Sequence, residues 1–423
     1  PFTANFNLKS TPEQYVILVD TKCEYINCRA LSPRKLVVHG AFSLYAKVLS
    51  KDQNEVYCYD EESDLQVKLS DICASDLCAI CQEQFSVTED ISVSSQPPVE
   101  SLLSYDVSAT ITELKTVHNK IMLNAELSLR ALYISDLDSG KVERLSYVFP
   151  INRIIDCDGV SDETVNIPYL EVMYSDLHVR NDNLNDGSTL TLDVKLSFSE
   201  LGYCEKQISI IEDAYSTKYA TEHKRSSLNI ESKHLLKNLT HIIKSTVKLD
   251  SVKISEVLDI YSEAVTLTPV ISDNSMNLSG KTNVCILLRD EDSKPFYIER
   301  SIDIDYQPEF EKAFDRVELK DCKIHSISYR IVDESTLELR VELKVSLVLC
   351  DIVSQNPVTA IEYNEDAKVS CDDCSLILYY ADKGESLWNI AKMYNTKESL
   401  LKEENVIDTE VVEKSTMLLV PTE

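Results

Sequence analysis

Runs of alternating apolar and polar residues, the pattern of a half-buried β-strand, recur along the chain up to residue 373 and limit its fold more than any other feature. Three of these runs are alike and begin at Leu36, Leu190 and Leu337. Because successive side chains of a strand point to opposite faces, each run predicts a strand with one face in a core. The sequence therefore predicts a mainly β protein with antiparallel sheets.

A second kind of strand lies between these three runs. Residues 119–132 resemble residues 274–287, and each segment leads into an acidic turn. We call this kind the first half of a repeat and the three runs described above the second half. Two halves together are expected to close one sandwich of two packed sheets. Since the chain starts on a second half, we expect a longer native form in which a first half precedes it.

Helix is predicted mainly between the β domains. Residues 69–84 fit a helix, and residues 224–244 fit one better because Leu235, Leu239 and Ile242 fall on one helical face. Tandem antiparallel β-sandwich-like domains with a small C-terminal α+β domain are the predicted architecture. Its parts are the second half of a truncated domain at 1–80, a complete domain at 81–221, a linker helix at 222–249, a complete domain at 250–366, a linker at 367–376 and the C-terminal domain at 377–423.

The last fifty residues carry the pattern of a separate module. A short strand ends before Gly384, which suits a tight turn, and Ser386 follows at a position that favours a helix N-cap. Apolar residues then recur at helical spacing up to Tyr394. A second helix fits residues 397–404 and a last strand fits residues 417–420. The order strand, helix, helix, strand is predicted, with no catalytic constellation.

This C-terminal pattern resembles the LysM domain, from Tyr379 through Gly384 and the Ser386-Leu387-Trp388 segment to Tyr394. The resemblance implies a binding module for N-acetylglucosamine polymers or for proteins. It also implies a binding surface between two loops. The matching residues are Lys383, Gly384, Glu385, Ser386, Leu387 and Trp388 in the first loop, with Lys402, Glu403, Asn405, Val406 and Ile407 opposite them.

Two departures from the LysM pattern favour a protein ligand over a sugar. Glu385 stands where the family usually has Asp, and the usual glycine before the last strand is absent. The second loop is also rich in acidic residues. Trp388, the single tryptophan, fits either the core of the module or an exposed anchor, and a core position is favoured.

The body of the chain resembles the SPOCS-domain proteins of spore-forming Firmicutes, a family that includes SipL-like spore-coat morphogenetic proteins. The segments that carry the likeness are residues 131–140, 295–300 and 378–388, together with the order of the domains. The resemblance implies a cytoplasmic protein of the mother cell that acts at the forespore surface. It also implies that the LysM module docks a coat morphogenetic protein, an ATPase like stage IV sporulation protein A.

Net charge and cysteine usage limit the partners and the cellular compartment that we expect for this chain. The chain carries 71 acidic and 42 basic residues, a net charge of −29, which disfavours nucleic acid and anionic lipid as partners. No apolar stretch approaches the ~20 residues that a membrane-spanning helix needs. The 13 cysteines are scattered and odd in number, so we expect free thiols in a reducing compartment.

Candidate cofactor sites are weak. Cys73, Cys78 and Cys81 have the spacing of three iron–sulfur ligands, but the fourth ligand is missing nearby. Cys371 and Cys374 lack the second pair of a zinc site. Nucleotide-binding loops, nucleophile elbows and paired metal histidines are absent from the sequence. We therefore expect no cofactor, no metal and no enzymatic activity.

The preferred hypothesis is a non-enzymatic scaffold in spore-coat assembly whose LysM module docks a protein. The alternative is an exported, cell-wall-associated protein whose LysM module binds the N-acetylglucosamine chains of peptidoglycan. The sequence leaves open whether the β domains self-associate. Basic residues between Lys224 and Lys248 form either a solvated face or a docking surface for an acidic partner, and the sequence leaves both readings open.

Overall fold

The computed structural model describes residues 5, 7–8, 15–50, 64–93, 96–180, 189–249, 253–272, 275–310, 312–369 and 375–422. Strands take up 77% of the described residues and helices 4%, which confirms the mainly β prediction. No helix among the described residues is long and apolar enough to span a membrane.

Eighteen strands and two helices make up this part of the chain. They are β1 (Tyr15–Ser32), β2 (Lys35–Ser50), β3 (Leu65–Ser92), β4 (Ser101–Val117), β5 (Lys120–Asp136), β6 (Lys141–Asp156), β7 (Val165–Val179), β8 (Thr189–Ser216), β9 (Tyr219–Arg225), β10 (Leu228–Lys248), β11 (Ile254–Ser272), β12 (Ser275–Asp290), β13 (Pro295–Tyr306), β14 (Arg316–Asp333), β15 (Thr336–Gln355), β16 (Val358–Lys368), β17 (Leu376–Ala381), α1 (Leu387–Met393), α2 (Glu398–Asn405) and β18 (Thr416–Pro421).

The structure divides into two compact units, and four strands have residues in both: β3, β8, β10 and β15. The first comprises residues 1–52, 76–204 and 234–351, and the second comprises residues 53–75, 205–233 and 352–423.

The first unit contains two sandwiches built to one plan. In the first sandwich, the antiparallel sheet β4-β5-β6 packs against the sheet β3-β8-β7. A single core joins them, and it includes Leu127 and Leu129 of β5 with Leu192 and Phe198 of β8. In the second sandwich, β11-β12-β13 packs in the same way against β10-β15-β14. The pairing of first and second halves is therefore as the alternating pattern predicts.

The first unit also holds a two-stranded hairpin. β1 and β2 pair antiparallel from Tyr15 opposite Ser50 to Ser32 opposite Lys35. This hairpin is the copy of the second half that begins at Leu36, and among the described residues it forms a sheet of its own.

The predicted inter-domain helices are wrong. Residues 69–84 lie inside β3, and residues 224–244 fall on β9 and β10. β3 and β10 are the third strands of the second-half sheets. Each sandwich therefore begins upstream of the predicted boundaries at 81 and 250.

The second unit contains the β9–β16 pair and a C-terminal module. Residues 358–368, which span the predicted boundary between the domain at 250–366 and the linker at 367–376, form β16 and pair with β9. The module runs through β17, α1, α2 and β18, and its two strands pair antiparallel. This order of elements is the predicted one. Cys371 and Cys374 lie outside the described residues.

Candidate functional site

The turn that opens the C-terminal module is set by Gly384. Its φ of +92° lies in the left-handed region that glycine adopts without strain. α1 follows after Ser386, which has an extended backbone, but the Ser386 hydroxyl makes no capping hydrogen bond. Glu385 stabilises the turn instead, because its carboxylate accepts hydrogen bonds from the Tyr379 hydroxyl at 3.2 Å and from the Asp382 amide at 3.2 Å.

Apolar side chains of both helices and both strands form the core of the module. Trp388 is only 6% exposed and Leu387 is fully buried. Tyr215, from the end of β8, belongs to the same core and meets the Trp388 ring edge-on at 4.9 Å. The Tyr215 hydroxyl also donates to the Thr396 carbonyl at 2.7 Å. The module is thus anchored within the second unit by a strand far upstream in the chain.

Asp213, two residues before Tyr215, supplies a polar anchor. Its carboxylate accepts a hydrogen bond from the Trp388 indole N–H at 2.9 Å and two from Lys392 Nζ at 2.7 and 2.8 Å. Burial opposes the charge of Asp213, but the hydrogen bonds from Lys392 and Trp388 outweigh it and hold its pKa below the ordinary value. Arg225 adds a contact at 3.4 Å.

The first loop of the predicted surface is joined to the chain before β18 by backbone hydrogen bonds. Gly384 N donates to Val412 O at 2.8 Å, and Leu387 N donates to Glu410 O at 2.9 Å. Val412 N returns a bond to Glu385 O at 2.9 Å. These three bonds therefore occupy backbone groups of Gly384, Glu385 and Leu387 that face residues 410–412.

The second loop follows α2. Asn405 is structural, since its side chain bonds Leu401 O, Leu419 O and Leu419 N at 2.7–2.8 Å and so ties α2 to β18. Val406 ends the helix with φ 52° and ψ 50°, a left-handed conformation that costs a β-branched residue free energy. Its side chain is 92% exposed.

The candidate binding residues therefore differ in access. Leu387 and Trp388 are buried, in line with the core position favoured for the tryptophan. The exposed candidates are Lys383, Gly384, Glu403 and Val406, and the partly exposed ones are Glu385, Ser386, Lys402, Asn405 and Ile407.

Sequence reasoning missed the residues that hold the module in place. Asp213 and Tyr215 lie more than 160 positions upstream of β17, inside a strand pattern that gives no local signal of a partner. The backbone bonds of Glu410 and Val412 have no sequence signal either, because an acidic stretch is typical of a solvated loop.

The cysteine prediction is wrong for one pair. Cys78 and Cys204 form a disulfide, which also removes Cys78 from the iron–sulfur spacing. Cys157 is buried beside Cys81. Among the described residues, the cysteines outside a disulfide are Cys28, Cys73, Cys81, Cys157, Cys285, Cys322 and Cys350.

One set of metal-ligand types comes together on the first sandwich. Asp176 and His178 of β7 and Asp193 of β8 have ligand atoms within 4.8 Å of one another. Ordinary hydrogen bonds account for this placement, because His178 Nδ1 lies 3.2 Å from Asp176 Oδ2 and Thr88 donates to Asp193 at 2.6 Å. We assign no metal to it.

The comparison with known families falls on the first sandwich, from the approach to β4 to the end of β7. Residues 98–180 match the family model SipL, SPOCS domain. The SPOCS match supports a sporulation-related role and agrees with the resemblance carried by residues 131–140. No curated protein and no solved structure matches the chain significantly.

Proposed function

We propose that this protein is a non-enzymatic scaffold in the assembly of the spore coat. Its SPOCS-like sandwiches form the body of the scaffold, and its C-terminal module, a LysM domain, docks a protein partner. An ATPase like stage IV sporulation protein A is the proposed partner. The SPOCS match and the element order of the module support this function.

The LysM assignment rests on the coincidence of pattern and geometry. The motif glycine stands at a left-handed turn, and the motif residues Leu387, Ile390 and Ala391 are buried together in one core. The later Asn405 joins the second helix to the last strand. These five motif residues therefore have structural roles that their residue types suit.

The exposure and backbone conformation of Val406 give the main support for a protein-docking role. It is a fully exposed apolar side chain held in a conformation that costs about 1–2 kcal/mol for a residue with a Cβ. Glu403, Glu404 and Asp408 surround it in the sequence and are exposed. An exposed Val406 flanked by acidic residues suits an apolar pocket bordered by basic residues on a protein partner. Backbone strain at an exposed residue is also typical of a functional site.

The first loop is a poor match to a sugar. A small-ligand site combines a few free polar groups with an apolar or aromatic lining. In the first loop, backbone groups of Gly384, Glu385 and Leu387 are already bonded to residues 410 and 412, and Trp388 is buried.

Removing the Val406 side chain tests this role. Val406→Gly keeps the left-handed backbone without strain, so the module should stay folded while affinity for the purified ATPase falls about tenfold, equivalent to ~1.4 kcal/mol. Met393→Ala removes another exposed side chain, 63% accessible on α1, and should leave the affinity unchanged. Equal affinities of wild type and Val406→Gly would contradict the docking role.

A second candidate function is favoured by one observation. The Cys78–Cys204 disulfide suits an oxidising compartment better than the cytoplasm. An exported protein that binds peptidoglycan through its LysM module would have this property. Mass spectrometry of the protein trapped with an alkylating reagent in sporulating cells separates the two, since the scaffold hypothesis expects reduced Cys78 and Cys204 in the mother cell.

A further inference from the structure

The first sandwich brings two thiols together from its two different sheets. Cys81 lies in β3, a strand of the sheet β3-β8-β7, and Cys157 directly follows β6 of the sheet β4-β5-β6. Both side chains pack in the core of this sandwich. A hydrogen bond joins the two thiols. Two cysteines that are far apart in the sequence therefore meet across the sandwich.

The backbone holds the turn after β6 against β3. A methyl group on Gly159 would lie only 2.3 Å from the Cys78 carbonyl oxygen of β3, so the two segments are in close contact. The turn itself is fixed by hydrogen bonds, since Cys157 N donates to Asn119 O at 3.0 Å and Gly159 N donates to Asn119 Oδ1 at 3.0 Å. The Cys157 side chain, at 1% exposed, is therefore held in place from both sides.

A buried carboxyl group sets this thiol pair apart from ordinary core cysteines. Glu200 of β8 is fully buried, and its Oε1 accepts a hydrogen bond from Ile167 N at 3.0 Å. Its Oε2 has no hydrogen-bond partner among the described residues. Burial and the neighbouring Cys157 thiol raise the pKa of Glu200 well above its ordinary value. A core cysteine usually acts as a small apolar group, whereas this pair has beside it a group that can take up a thiol proton.

The two thiols differ in acidity and in access. The hydrogen bond from the Cys81 S–H lowers the pKa of the Cys157 thiol, so the pair loses its first proton more easily than an isolated thiol would. Cys81 is partly exposed and Cys157 is buried. A small oxidant therefore meets Cys81 first, with Cys157 already next to it.

We infer that Cys81 and Cys157 form a disulfide that ties the two sheets of the first sandwich together. The oxidant is a low-molecular-weight disulfide, RSSR. The Cys81 sulfur bonds to one sulfur of RSSR, the S–S bond of RSSR breaks, and the first RSH leaves with the Cys81 proton. The Cys157 sulfur then attacks the Cys81 sulfur and expels the second thiolate, which takes the Cys157 proton. Two protein thiols are oxidised and one RSSR is reduced to two RSH.

This bond differs from the Cys78–Cys204 disulfide in what it connects. Cys78 and Cys204 join β3 to β8, which are neighbours in one sheet. A Cys81–Cys157 bond would join the two sheets that pack face to face, and it would close a long loop of the chain. Cross-links of that kind restrict the unfolded chain and so stabilise the folded one.

Peptide mapping of the whole chain tests the inference. The folded protein is treated with oxidised glutathione at about pH 8, where thiols begin to ionise, remaining thiols are alkylated, and the protein is digested without reduction. Mass spectrometry should find a peptide pair linked through Cys81 and Cys157. Cys322 is the control, because it is also partly exposed but its thiol lies beside Asp321. It should stay a thiol or carry glutathione.

Thermal unfolding tests the connection between the sheets. Oxidation should raise the midpoint of the wild type by about 5–15 °C. Cys81→Ala keeps Cys78 and Cys204 and should show no such rise. Three results overturn the inference: folded wild type without the linked peptide, a link that appears only after unfolding in urea, and a midpoint that oxidation raises equally in both proteins.

Discussion

At the scale of the residue, Asp213 holds the C-terminal module to the rest of the second unit. Its carboxylate accepts hydrogen bonds from both the Trp388 indole N–H and the Lys392 ammonium, and its side chain is only 17% exposed. A hydrogen-bond donor that loses its acceptor in a part-buried site lowers the stability of the fold, because water does not fully replace the lost acceptor.

Asp213→Ala should therefore destabilise the module by about 1–3 kcal/mol. Trp388 is the only tryptophan in the chain, so its fluorescence reports this contact specifically. We expect red-shifted emission and a lower midpoint of urea unfolding. Asp408→Ala, an exposed carboxylate on the same module, is the control and should change neither; unchanged emission in Asp213→Ala would refute the anchoring role.

The same carboxylate predicts a pH dependence. The folded pKa of Asp213 lies below its ordinary value of about 3.9, so its contribution to stability is complete above that pH. It is lost as pH falls through the lower, folded pKa. In an acid titration, Trp388 emission should hold to about pH 4 and shift below it. Asp213→Asn should lack that step, and an identical titration of both proteins would count against the assignment.

At the scale of the element, the strands and their pairing follow from the sequence, but the third strands do not. Leu239 and Ile243 lie four residues apart, a spacing that satisfies both the helical period and the strand period of two. In β10 the half-buried positions are alternate ones, including Leu239, His241 and Ile243. The local pattern fits a helix and a strand equally well, and packing into the sheet decides for the strand.

The order of strands and helices in the C-terminal module and its turn at Gly384 also follow from the sequence, because local residue patterns determine them. The contacts of Asp213 and Tyr215 do not, because they depend on how distant strands meet.

Gly280 gives a prediction for the sheet β11-β12-β13. A methyl group there would lie 1.9 Å from the Thr266 carbonyl oxygen of β11, so the strands must move apart to accept it. Gly280→Ala should destabilise the second sandwich by about 1–3 kcal/mol or more. Ser279→Ala, which adds no atoms, is the control. Thermal unfolding curves measure both, and a stability of Gly280→Ala equal to that of the control would show that the strands approach less closely.

At the scale of the whole molecule, the chain is a series of repeated half-domains that ends in a different kind of module. Two pairs of halves close as sandwiches, and the SPOCS match falls on the first of them. The body therefore supplies repeated β sandwiches, while the module supplies a strained, exposed apolar residue among acidic residues. This division of tasks suits an adaptor.

The central claim is that the module recognises protein rather than sugar. Co-sedimentation with purified peptidoglycan tests it most directly, with the purified ATPase as the competing ligand. The account predicts that the protein stays in the supernatant with peptidoglycan alone and forms a complex with the ATPase. Sedimentation with peptidoglycan that is reversed by N-acetylglucosamine oligomers, without binding to the ATPase, would contradict it.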